Sequence, residues 1–398
     1  MLSLSIFYKN DLDKFFKKTI PLRVKKIKVY KDTLLKGKYD YIILPNTIAE
    51  TEDIQDFVQK IKKNCKTNTR IVIIYFNFLW KPILNIASSL KLRRKDKKEP
   101  NWLSPVDIKN ILKLENFEEI KLERRFLFPL GNFISQLPVI NYFCLTSCQI
   151  FKPVSDKKEY SVSIIIPTRN EAGNIKGILN KISYLGKKTE VIFVEGNSSD
   201  NTYEKIEREI SNYKGGLKCS LYKQKGKGKG DAVRLGFKKA KNDILMILDA
   251  DLTVPPSDLK KFYNAISEGH GEFVNGTRLI YPMESQAMRT LNYMGNKFFS
   301  VIFSYLLDQK IKDTLCGTKV LFRKDYERIR KIRNEFGDED PFGDFDLLFG
   351  AAKLNLKIVE IPVRYKDRTY GKTNISRFKN GLQLLKMTYV AAKKIKFA

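Results

Sequence analysis

The chain has 398 residues, enough for two or three domains that each bury a core. Its 74 basic against 44 acidic residues give a net charge of +30, which favours anionic partners, whether nucleic acid, acidic lipid headgroups or phosphorylated substrates. A single histidine, His270 in the turn-like EGHGE, excludes zinc-hydrolase motifs and argues against a histidine-based triad.

The cysteines Cys65, Cys144, Cys148, Cys219 and Cys316 are odd in number and scattered, which points to free thiols in a reducing cytosol. No basic stretch followed by a long apolar one marks a signal peptide. No apolar run spans a bilayer cleanly; the uncharged Phe126 to Phe151 is broken by Pro129, Gly131 and Pro138 and suits buried or interfacial packing.

Residues 1–152 form a first unit. YDYIILP (Tyr39 to Pro45) is a strand, Thr51 to Asn64 has helical spacing with Ile54, Phe57, Val58 and Ile61 on one face, and RIVIIYF (Arg70 to Phe76) is a second buried strand. The basic KLRRKDKKEP, Lys91 to Pro100, is a solvated connector or a contact for acidic lipid. Ser104-Pro105 opens a helix, Ser as cap and Pro in the first turn. FEEIKLERRF and CQIFKP complete the strands. This order, with NWLSPVDIKNILKLENFEEI, resembles the C-terminal half of a class I methyltransferase. That family's cofactor loop is glycine-rich, whereas residues 1–40 hold only Gly37. The resemblance therefore implies a partial Rossmann-like α/β domain, degenerate and non-methylating, with a scaffolding or docking role. Residues 153–160 are polar and form the expected linker.

From Ser161 (residues 161–398) the pattern is βαβαβαβ, a doubly wound, mostly parallel sheet. SVSIIIPTRNE ends in Pro167-Thr168-Arg169-Asn170-Glu171, and a helix with Ile175, Ile178, Leu179 and Ile182 on one face follows. EVIFVEGNSSDNT runs into Glu195-Gly196-Asn197, with Asp200 or Ser199 capping the next helix. After CSLYKQ comes KGKGKGD, a Gly/Lys loop that opens a helix. It lacks the Walker spacing; it is either a flexible basic loop or an anion nest around Lys227, Gly228, Lys229 and Asp231. ILMILDADLT then brings Asp249 and Asp251 to a strand end, where ligands bind in such sheets. Two carboxylates one residue apart suit Mg²⁺ or Mn²⁺ on a diphosphate; the alternative is a solvated Asp-x-Asp turn.

PTRNE, VEGNSSD, the DAD motif, NGTRL at Asn275, LCGTKVLFRK at Leu315 and DRTYGKTNISRF at Asp367 appear in this order. Together they resemble family 2 glycosyltransferases, in the dolichyl-phosphate mannose synthase-like branch, over Ser161 to about Lys386. The resemblance implies the nucleotide-diphospho-sugar transferase (GT-A type) fold and a GDP- or UDP-hexose donor. Pro167, Thr168, Arg169 and Glu171 would line the nucleotide site, and Glu195 and Asn197 would meet base or ribose. Glu195-Gly196 departs from the family's D-D-G-S pattern. Asp249 and Asp251 would hold the metal; Thr253 stands where some relatives have a glutamine ligand.

A lipid monophosphate acceptor is already anionic and needs cations rather than a base. Arg278, Arg289, Arg368 and Lys372 are the candidates. For a hydroxyl acceptor, Asp344 or Asp346 in EDPFGDFDLLFGAAK would be the general base. Leu291 to Leu307 suits a helix at the membrane interface or one packed inside the domain. The amphipathic Ile375 to Phe397 suits a peripheral anchor to an anionic membrane, or a chain end without the spanning helices some relatives carry.

The expectation is thus a metal-dependent, inverting transfer of a hexose to polyprenyl phosphate, peripheral on the cytoplasmic membrane face. The same transfer to a glycan hydroxyl in surface polysaccharide synthesis is the alternative. A non-enzymatic nucleic-acid-binding protein would explain the charge but not the paired carboxylates, and no such motif is present.

Overall fold

The structure is a computed structural model that describes residues 20–21, 24, 26–30, 35–91, 101–125, 132–281, 290–333, 343–368, 370–371 and 377–397. It divides into two compact units, Met1–Ser155 with Lys396–Ala398, and Asp156–Ile395.

In the first unit five strands form one sheet: β1 (Ile27–Val29), β2 (Tyr39–Pro45), β3 (Cys65–Phe76), β4 (Phe117–Arg125) and β5 (Thr146–Pro153), ordered β1-β2-β3-β5-β4. The first three are parallel, and β5 inserts antiparallel between β3 and β4. The period-two alternation of side chains divides the core. Ile42, Leu44, Ile71 and Ile73 face one side with Val58 and Ile61 of α1 (Ile54–Lys62). Tyr41, Ile43, Val72 and Ile74 face the other. A third helix, after α2 (Lys81–Ser89), is α3 (Pro105–Leu114). It starts in a capping box, in which Ser104 accepts from the Asp107 amide at 3.2 Å and Asp107 from the Ser104 amide at 2.9 Å. Of the uncharged Phe126 to Phe151 stretch, residues 126–131 lie outside the described residues, as do residues 92–100 of the basic connector.

The second unit holds seven strands: β6 (Val162–Thr168), β7 (Thr189–Glu195), β8 (Lys218–Lys223), β9 (Ile244–Ile247), β10 (Phe273–Thr277), β11 (Lys319–Phe322) and β12 (Ile358–Pro362). Their order is β12-β10-β11-β9-β6-β7-β8. All pairs are parallel except those of β11, which runs antiparallel to both neighbours. The β6, β7 and β9 side chains are buried throughout or nearly so, as expected for strands covered on both faces.

The helices are α4 (Thr202–Asn212), α5 (Lys229–Lys239), α6 (Leu259–Ser267), α7 (Thr290–Leu307), α8 (Arg323–Ile332), α9 (Asp344–Lys353) and α10 (Arg377–Ala391). On α7, Phe303 is fully buried against Phe345 and Phe349 of α9, with ring centroids 5.6 and 5.5 Å away. Its Met294, Phe298 and Val301 are exposed, so the helix is packed on one face and open on the other.

Two expectations change. The helix over Ile175 to Ile182 shrinks to the single turn Ile178–Lys181, because Gly177 sits at φ 74° and interrupts it; all four apolar residues are still buried. The polar linker is shorter than 153–160: Pro153 ends β5, and Lys158 already donates its amide to Ser267 of the second unit at 3.0 Å.

Candidate active site

The carboxyl ends of β6, β7 and β9 deliver the expected side chains to one edge. Parallel pairing sets Thr168 beside Glu195, and the Gly196 amide returns to the Thr168 carbonyl at 2.8 Å. Past β9, Asp249 and Asp251 follow the buried Leu248. Asp249 Oδ1 lies 2.6 Å from Lys229 Nζ, contributed by the first turn of α5. Burial pushes the Asp249 carboxyl up, but the Lys229 ammonium more than offsets this and holds it below the usual range. Asp251 Oδ1 accepts from the Thr253 amide at 3.1 Å and from its hydroxyl at 2.9 Å, and Oδ2 lies 3.3 Å from Arg368 Nη2.

Arg368 also pairs with Glu171, whose other oxygen accepts from Asn174 Nδ2 at 2.7 Å. Burial raises the Glu171 carboxyl to about 7, with Arg368 and Asn174 opposing and Asp251 and Asp249 adding to the rise. Arg368, read from sequence as an acceptor-phosphate group, therefore bridges two carboxylates of the donor edge. The same segment lays the Tyr370 ring on Gly173, where any Cβ would overlap it.

Because β11 runs backwards, its start lies beside the end of β9. The register Val320↔Met246 carries Gly317 to Asp249, and a Cβ at Gly317 would overlap both Asp249 Oδ2 and Lys229 Nζ. Lys319 is fully buried, and its Nζ lies 3.0 Å from Asp344 Oδ1. Gly343, ahead of α9, backs onto Gly230 of α5: a Cβ at Gly230 would stand 2.9 Å from the Gly343 nitrogen. This contact draws the starts of α5 and α9 together. Asp344 consequently adds to the field that keeps Lys229 charged.

Asp344 and Asp346 are separated by about 200° around their helix and so face different ways. Asp346 pairs with Arg333 at 2.7 Å. The two were alternatives for one role, and the structure gives them different partners.

The remaining candidates are placed as follows. Glu195 is buried; its Oε1 accepts from the Ser198 amide at 2.5 Å and its Oε2 has no hydrogen-bond partner among the described residues. It lines a cleft of about 370 Å³ with Ser198, Asp200, Tyr203, Glu204 and Lys223. Asn197, at φ 56°, donates to the Gln224 carbonyl at 3.3 Å. In the Gly/Lys loop Lys227 is exposed, Gly228 turns at φ 85° into α5, and Asp231 accepts from the Gly226 amide at 3.1 Å, bracing the loop itself. Arg278, at the end of β10, is held by Asp313 through Nε at 2.7 Å and Nη2 at 2.8 Å, beneath the Tyr365 ring at 5.1 Å. Arg289 and Lys372 lie outside the described residues.

Gly317 and Lys319 lie inside the LCGTKVLFRK motif but received no role of their own from sequence, and Asp313, just ahead of it, received none either. The signal for Lys319 was a lone lysine opening the apolar Val320-Leu321-Phe322. Asp313 offered none, since its role depends on Arg278 and on Asn296, which donates to it at 2.8 Å.

Among the described residues no cluster of three or more His, Cys, Asp or Glu side chains would chelate a metal alone. Asp249 and Asp251 nevertheless fit a hard divalent cation. Their donors are carboxylate oxygens, the Lys229 and Arg368 contacts leave lone pairs on them, and such ions commonly complete their shell with phosphate and water. The Cβ-free space at Gly317 borders the Asp249 oxygen.

A mostly parallel α/β sheet of this order, with a carboxylate pair past the end of a central strand, has the nucleotide-diphospho-sugar transferase (GT-A) fold. The family model for glycosyl transferase family 2 matches residues 163–330, and the second unit is a glycosyltransferase domain of that family. The chain is 35% identical over 219 residues to the dolichol-phosphate mannosyltransferase of Pyrococcus furiosus, covering 54% of this chain and 59% of that protein. It is 28% identical over 223 residues to glycosyltransferase AglJ of Haloferax volcanii (56% and 68% covered). It is also 28% identical over 262 residues to the dolichyl-phosphate β-glucosyltransferase of Saccharomyces cerevisiae (59% and 77%). Among solved structures, a Pyrobaculum calidifontis mannosyltransferase in complex with GDP-mannose and Mn²⁺ aligns at TM-score 0.40 and 17% identity, covering 61% of this chain and 76% of that one.

Proposed function

We propose that this protein transfers a hexose from a GDP- or UDP-sugar to a polyprenyl phosphate, with inversion, peripherally at the cytoplasmic face of a membrane. The observation that carries the acceptor assignment is the pairing of both candidate bases. Asp344 is buried against Lys319 and Asp346 against Arg333. Taking a proton from a hydroxyl would cost each carboxylate its ion pair, which favours an acceptor that arrives ionised. Relatives named for dolichyl-phosphate transfer support the same reading.

In this scheme Asp249 and Asp251 hold Mg²⁺ or Mn²⁺, which would supply charge neutralisation at the departing diphosphate. Lys229 adds a fixed positive charge at the same edge, and Lys227 extends from the loop that precedes it. The Glu195 cleft takes the nucleoside; Thr168 stands beside Glu195 in the sheet register, and Pro167, Arg169 and Asn197 are assigned to the nucleotide from their motifs. Arg368 bridges Glu171 and Asp251 and so fixes the two carboxyl groups at the donor edge. Arg278, clamped by Asp313, is the acceptor-phosphate candidate that the described residues hold in a fixed position; Arg289 and Lys372 are assigned the same role from their motifs alone.

The test is a comparison of acceptors that differ in one group. Transfer is expected to polyprenyl phosphate and not to the free polyprenol of the same length. Equal transfer to the alcohol, or transfer only to a glycan, would replace this reading with a hydroxyl-acceptor mechanism.

A further inference from the structure

The first unit carries an amphipathic helix turned inside out. Leu79, Ile83, Ile86 and Leu90 recur at steps of four, three and four residues, the stripe that a helix ordinarily lays on a core. Here they are 47, 54, 61 and 64% exposed, and α2 contributes no buried residue at all. Its neighbours behave normally: α1 buries Val58 and Ile61, and α3 buries Ile108 and Leu112.

The stripe is not isolated. The turn Phe78–Trp80 leads into α2, and Trp80 Nε1 donates to the Phe143 carbonyl at 2.8 Å. Asn77 Nδ2 donates to the Tyr142 carbonyl at 2.8 Å and to Cys144 at 3.0 Å. These bonds fasten a second turn, Ile140–Phe143, beside the first, and it adds the exposed rings of Tyr142 and Phe143. The Arg124 guanidinium lies 4.6 Å from the Tyr142 ring centre. Immediately after Leu90, the sequence Lys91 to Lys98 holds six basic residues and one acidic.

We propose that α2, with the turns Phe78–Trp80 and Ile140–Phe143, is a docking surface for an anionic lipid bilayer. Charge selects this occupant. An apolar stripe continued by a run of lysine and arginine matches a surface that is apolar beneath and anionic at the headgroups. A second copy of the chain carries the same net charge of +30, which opposes self-association. The assignment gives the first unit a function of its own and does not depend on which acceptor the second unit uses.

The chain has two tryptophans, so Trp102→Phe in the full-length protein leaves Trp80 as the sole reporter. The expected result is a blue shift of Trp80 emission and quenching by brominated acyl chains in vesicles containing phosphatidylglycerol, with much weaker effects in pure phosphatidylcholine. Adding Ile83→Glu and Ile86→Glu should lower vesicle affinity roughly tenfold or more and remove the quenching. Both positions are exposed, so circular dichroism and melting should be unchanged. The inference is overturned if Trp80 stays unquenched while the protein sediments with vesicles, or if the double variant binds as before. It is equally overturned if light scattering shows a dimer that the double variant converts to a monomer. A protein that binds lipid through Trp80 but transfers no sugar would refute the acceptor assignment and leave this one standing.

Discussion

Asp251 keeps one oxygen on Thr253 and turns the other toward Arg368, so its position is determined before any donor arrives. Asp251→Asn retains the size and most hydrogen bonds but removes half of the charge pair. Transfer should fall by roughly 10²- to 10³-fold, measured as labelled product per unit time, with little change in melting. Gly317→Ala tests the reversed strand: its methyl would displace Asp249 or Lys229, so activity should drop while the fold persists. The buried Asp313 is a separate matter of stability. Arg278 outweighs the burial penalty and lowers its carboxyl from 3.8 to about 2. A depressed folded-state value means the stabilisation is fully present above about pH 4 and is lost as pH falls through about 2. Asp313→Ala should cost about 3–5 kcal/mol at neutral pH in urea melts and flatten the acid limb of the stability curve. The carboxylates and PTRNE were legible from sequence because strand ends in a parallel sheet are functional positions. Asp313 and Lys319 were not, since each acquires its meaning from a partner at a distance that only the folded sheet reveals.

Elements were readable where one rule dominated. Continuous apolar runs gave β3, β6, β7 and β9, and Ser104-Pro105 gave the start of α3. The capping box there predicts that Ser104→Ala lowers the stability of the first unit by about 1 kcal/mol in thermal melts. Rules in competition were less transparent. The apolar spacing of Ile175 to Ile182 indicated a helix, yet Gly177 in the left-handed region keeps its first residues out of it and leaves the single turn Ile178–Lys181. The direction of β11 was hidden as well, because a short apolar run carries no mark of parallel or antiparallel pairing. That direction is what brings Gly317 and Lys319 to the site. The helix α2 inverts the usual logic, since its periodicity is plain and only the structure shows that its apolar side faces outward.

For the whole molecule, the charge of +30 and two open apolar helix faces in the second unit belong to the same account. Met294, Phe298 and Val301 on α7, and Leu382, Leu385 and Tyr389 on α10, are all exposed. No helix among the described residues is long and apolar enough to cross a membrane. The membrane attachment proposed above would be partly electrostatic and should weaken as ionic strength rises, which vesicle sedimentation across a salt series would record. The most direct trial of the central claim is transfer of radiolabel from GDP- and UDP-hexoses to a short polyprenyl phosphate in detergent, with and without Mg²⁺ or Mn²⁺. The account predicts label in the organic phase, dependent on the divalent cation and on Asp251. Cation-dependent hydrolysis of the donor with all label left in the aqueous phase would contradict it.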